Sequence, residues 1–79
     1  MADANRTLLV EMLSRRIHFE TEAGGLRFQH SGVVIAWLCP AHGYEADVGY
    51  SLLVRDDATG ADNFYGFHDI RLLGRPVPA

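Results

Sequence analysis

Four groupings in this 79-residue chain hold residue types that could do chemistry. Cys39 and His42 have Cys-x-x-His spacing, and His30 or His68 would be needed to complete a zinc tetrahedron of nitrogen and sulfur ligands. Cys39 beside His42 would also make a nucleophile pair, but that needs an accessible thiol in polar surroundings, and Cys39 ends an apolar run. His68-Asp69 is an acid–base pair by type. Asp56, Asp57, Thr59 and Asp62 crowd one short stretch as calcium ligands would, without the EF-hand spacing. Each has a plainer reading, and the sequence favours it. Cys39 is expected to be a small buried apolar residue and the histidines loop positions. Asp69 is expected to cap a 3₁₀ turn, and the aspartates to build a solvated hairpin turn. No catalytic residue, metal or cofactor is assigned.

The elements that must position these residues are short. Residues 4–16 read as an amphipathic helix capped by Asp3 or Asn5, with Leu8, Leu9, Met12 and Leu13 on one side and Arg15-Arg16 in its last turn. At about three turns such a helix is marginal alone and must dock on its own sheet or on a neighbour. Ile17–Glu22 alternates apolar and polar, Gly24-Gly25 allows a tight reversal, and Leu26 and Phe28 resume the alternation. Ser31-Gly32 reads as an interruption before Val33–Cys39, the most apolar run. There Val33, Ile35, Trp37 and Cys39 share one face, and Val34, Ala36 and Leu38 share the other, taken as an outer face that needs a cover. After Pro40, Ala41–Val48 is a polar loop, and Gly49–Arg55 is a strand. Asp56–Asn63 is a turn, Phe64–Phe67 a strand holding Gly66, and Ile70–Leu73 a closing strand. The expected organisation is a helix over 1–16, a barrel over 17–74 and a flexible tail over 75–79.

Composition narrows the functional classes. The apolar share is 48% and the charged share 22%, as in globular chains. Net charge is −3, and all seven basic residues are arginine, with only Arg15 and Arg16 adjacent. That argues against nucleic-acid binding, which calls for a basic patch. A single cysteine precludes an internal disulfide and favours a reducing compartment, so a cytoplasmic location is expected. No apolar run is long enough to span a bilayer.

Gly32-Val33-Val34-Ile35-Ala36-Trp37, Tyr50-Ser51-Leu52-Leu53-Val54-Arg55-Asp56, Phe64 and Asp69-Ile70-Arg71-Leu72-Leu73 together resemble SH3-like barrels over roughly residues 17–74. The fold class expected is therefore mainly β, an SH3-like small barrel of five or six strands with a short N-terminal helix. A narrower likeness is to the type II dihydrofolate reductases, whose Gly-x-Ile-Val-Gly-Trp-Tyr-Cys strand is similar to residues 32–39 and whose Gly-Tyr strand start is similar to Gly49-Tyr50. Their Val-Gln-Ile-Tyr pore motif would fall on Asp62-Asn63-Phe64-Tyr65, where only Tyr65 matches. That likeness implies an oligomeric enzyme with a pore active site. A nucleic-acid-binding barrel is the third alternative.

The residues favour a non-enzymatic module that binds a protein partner or itself, suited to an adaptor or to a phage- or mobile-element-borne inhibitor. Tyr44, Tyr65, Phe67 and His68 are the expected binding residues, since aromatics beside loops mark contact surfaces. Leu9, Met12, Leu13, Val34 and Leu38 are the expected interface.

Overall fold

The computed structural model describes residues 9–44 and 49–79. Six antiparallel strands run through them: β1 (Arg15–Ala23), β2 (Leu26–Leu38), β3 (Ser51–Asp56), β4 (Asp62–Gly66), β5 (Ile70–Leu72) and β6 (Val77–Pro78). The sheet order is β4-β3-β2-β1-β5, with β6 also on β1. One 3₁₀ turn, Phe67–Asp69, precedes β5. The protein is mainly β with one short helix, as the alternation of residues predicts.

The first reversal follows its turn chemistry. Ala23 pairs with Leu26 across Gly24 and Gly25, whose φ values are 59° and 80°. Two successive positive φ angles suit the twist of a two-residue hairpin, and glycine adopts them without a Cβ clash. The second reversal is polar. Asp56 Oδ1 accepts from the Ala58 N–H at 2.8 Å, Thr59 Oγ1 from the Ala61 N–H at 3.2 Å, and the Asp56 carbonyl from the Gly60 N–H at 2.8 Å. The aspartate-rich stretch thus satisfies its own backbone.

Several boundaries differ from the sequence-based expectation: β3 is Ser51–Asp56 rather than Gly49–Arg55, β4 is Asp62–Gly66 rather than Phe64–Phe67, and three differences are larger. Residues 9–12 are helical, but the strand begins at Arg15, so Arg15 and Arg16 belong to β1 and not to a helix end. Ser14 makes the change of direction: it sits at φ 66°, and its N–H donates to the Val34 carbonyl at 2.7 Å. Residues 4–8, with Leu8 and the caps Asp3 and Asn5, lie outside the described residues, as does 45–48 of the polar loop. At the other end the expected tail is partly a strand, with Val77 opposite Arg16 and Pro78 opposite Arg15. Ser31-Gly32 does not interrupt β2, which runs unbroken for 13 residues. Gly32 is there for a close approach. A Cβ at this position would collide with the Arg55 carbonyl oxygen and lie 2.7 Å from Val54 Cγ1.

The face assignment of β2 changes as well. Val34 pairs with Val54, but Ala36 pairs with Leu53, so one extra residue, Ile35, is inserted. Such a bulge shifts the side-chain alternation by one. Val34 and Trp37, three apart, therefore both face the core: Val34 is fully buried, opposite Val54, and Trp37 packs against the cluster, opposite Leu52. The core comprises Leu9, Met12, Ile17, Phe19, Val34, Leu52 and Val54. Leu9 and Met12 are 0% exposed, so the helical turn docks on its own sheet. Burying each such side chain is worth about 1.5–3 kcal/mol relative to leaving it in water.

Because β3 backbone and Val54 leave no room beside Gly32, Gly32→Ala is expected to destabilise the chain by about 1–3 kcal/mol, the usual range for overpacking. Chemical denaturation checks this. An unchanged midpoint would mean that β2 and β3 separate freely at that rung.

Candidate interaction surface

The outer side of the sheet is built by what the core does not take. Once Leu52, Val54 and Trp37 turn inward, their neighbours Leu53 and Ala36 turn outward. Ala36 pairs with Leu53, and Leu53 with Phe64, so three apolar residues lie in a row across β2, β3 and β4. Phe64 is 58% exposed and Leu38 is 56% exposed. Leu53 and Ala36 are half-buried. This strip is an apolar feature that the sheet turns away from its core.

One ion pair adjoins the strip, and a second lies further along the sheet beside Val33 and Ser31. Arg55 meets Asp62 across the β3–β4 rung at 2.9 and 3.2 Å. Arg16 meets Asp57 at 2.9 and 3.3 Å, and Ser31 Oγ donates to the same carboxylate at 2.9 Å. Both are two-point guanidinium–carboxylate contacts, the strongest geometry available to an exposed pair. The hydrogen bonds from Arg55 hold Asp62 below the usual carboxylate range. Those from Arg16, then from Ser31, do the same for Asp57.

The expected binding residues are divided by the fold. Tyr44 is 59% exposed on the loop after β2. Phe67 and His68 stand together at the 3₁₀ turn, with ring centroids 5.8 Å apart, and line a groove of about 360 Å³ with Gly49, Tyr50 and Asp69. Phe67 is tied into the sheet, its N–H donating to the Tyr50 carbonyl at 2.8 Å. No side-chain hydrogen bond caps the N-terminus of the turn. Gly66 instead leaves room for the Asp69 carboxylate, which a Cβ there would strike.

Of the expected binding residues, Tyr65 and Phe67 are half-buried against the core, and Phe64 is the exposed aromatic of β4. The registers Leu52–Tyr65 and Leu53–Phe64 set this, because partners on one rung share a face. Of the expected interface, Leu9, Met12 and Val34 are consumed by the chain's own core, while Leu13 and Leu38 remain exposed. Cys39 is exposed rather than buried. Among the described residues no three His, Cys, Asp or Glu side chains converge to hold a metal.

His30 has a role that the sequence did not suggest. Its ring stacks on Phe19 at 5.0 Å and lies 5.4 Å from Tyr65. Its Nε2 is 2.8 Å from Thr21 Oγ1. It closes one end of the core while keeping a polar partner. The signal was available in the alternation of Phe28, His30 and Gly32, which puts His30 on the inward face.

No family model, no curated protein and no solved structure matches this chain.

The depressed Asp57 and Asp62 pKa values carry a pH signature. Carboxylates bound more strongly in the folded state stabilise it above their unfolded pKa, and that contribution is lost as pH falls through the folded value. Melting temperature is therefore expected to decline below about pH 4. Asp57→Asn should lower it at neutral pH and flatten the acid decline. Parallel thermal scans against pH read both effects, and superimposable curves would show that the pair contributes nothing.

Proposed function

We propose that this chain is a non-enzymatic SH3-like association module, binding a second copy or a protein partner through the outer face of β2, β3 and β4. The observation that carries this is the apolar row Ala36–Leu53–Phe64 with exposed Leu38 beside it. Contiguous apolar surface is kept in water chiefly where a partner covers it. The SH3-like reading is supported by the order β5-β1-β2-β3-β4 and by the 3₁₀ turn that leads directly into β5. The module's small size suits an adaptor, or an inhibitor seated on a larger protein.

The two ion pairs fit this role. Each arginine already has its carboxylate, so bringing an apolar partner against the strip strands no charge. An unpaired charge there would have to be desolvated at a cost of several kcal/mol.

Sedimentation velocity from the micromolar to the millimolar range is expected to show mass rising above 8.8 kDa, with Leu53→Lys returning the chain to a monomer without loss of fold. A mass of 8.8 kDa at every concentration, identical for wild type and variant, would reject self-association through this face.

A further inference from the structure

We infer that a second copy of this chain pairs antiparallel with β4 along its free edge, on a two-fold axis at Phe64, so that the two sheets join into one. This rests on the self-association reading above and adds to it a second contact, at the sheet edge beside the outer face, which the joined sheet presents as one longer apolar row.

The ladder dictates which backbone groups are available. The Asp56 N–H donates to the Ala61 carbonyl at 2.9 Å, and the Phe67 N–H to the Tyr50 carbonyl at 2.8 Å. These bonds bracket the β3–β4 register, in which Val54 faces Asn63 and Leu52 faces Tyr65. Hydrogen-bonded rungs alternate along an antiparallel pair. Residues 61, 63, 65 and 67 therefore bond to β3, and Asp62, Phe64 and Gly66 direct their N–H and C=O groups outward. Among the described residues β4 ends the sheet order, with no strand beyond it.

The two sides of the sheet are treated differently. Edges are normally blunted by lysine, proline, unpaired charge or extreme shortness. The β5–β6 side has shortness and proline: β5 spans three residues and β6 two, and Pro76 and Pro78 stand at its end. The β4 side has no proline and no lysine, and its one charge, Asp62, is already matched by Arg55.

The register is also self-complementary. With Phe64 opposite its own copy, Asp62 falls opposite Gly66 and Asn63 opposite Tyr65, so no like charges meet. The outward Phe64 side chains become neighbours on one face, and the apolar row runs from Leu53 of one copy to Leu53 of the other. A five-residue edge buries less than the 1,200 Å² or so of a standard stable interface, so a weak, concentration-dependent dimer is expected.

Amide exchange measured by NMR on the intact chain tests this. As concentration rises, the Phe64 amide should become protected in step with the mass, while Asn63 and Tyr65, bonded to β3, stay protected throughout. Phe64→Pro removes an N–H that β3 does not use, a substitution edge strands accept, and should leave circular dichroism intact while abolishing the dimer. In a Cys39→Ser background, Phe64→Cys should cross-link to its copy under mild oxidation. A dimer with an unprotected Phe64 amide and no such cross-link would overturn the edge geometry while leaving association standing. A monomer at every concentration would remove both.

Discussion

Between Val34 and Ala36, strand β2 carries one residue more than the β3 segment opposite. Without that insertion, Val34 and Trp37 would stand on opposite faces, and one of them would be lost to the core. With it, both contribute, and Ala36 and Leu38 are turned outward. The apolar strip on the outer face is thus a direct consequence of the bulge that completes the inner one. A chain this short has one sheet face to bury, and a run as apolar as residues 33–39 contains more than that face can absorb.

The helical turn closes the remaining gap. Leu9 and Met12 reach the core only because the chain reverses at Ser14, whose left-handed backbone brings residues 9–12 back over the sheet. Non-glycine residues adopt that conformation at a penalty of about 1–2 kcal/mol. The hydrogen bond from Ser14 to Val34 offsets part of it. The same residue thereby ends the helix, begins β1 and engages a carbonyl beside the bulge.

Much of the fold was legible in the sequence. The Gly24-Gly25 hairpin, the alternation of β1 and the aspartate-rich turn each have a local cause, so local pattern finds them. What was not legible depends on distance. Gly32 looks like a breaker until Arg55 and Val54 are seen against it. The faces of Tyr65 and Phe64 follow from pairing with β3, which no window on residues 62–67 contains. The helix boundary was missed because Ser14 carries none of the glycine or asparagine signal that usually marks a left-handed cap. Of the candidate surface, Leu38 was legible as an outer-face residue of its strand, whereas Leu53 and Phe64 emerged only from the register.

The surface charges show the same dependence. Arg16 and Asp57 are 41 residues apart and Arg55 and Asp62 only seven, yet both pairs form on the same sheet, the second of them next to the apolar strip. Exposed pairs of this kind add little to stability. Their more consequential effect is on the field at the strip, because each fixes a carboxylate against a guanidinium in a chain whose net charge is −3. Two acidic copies repel through their unpaired charges, over a range of about 8–10 Å at ordinary ionic strength. Matching the charges nearest the β4 edge moves that repulsion away from the contact. The sheet edge that is chemically open therefore carries no unmatched charge of its own.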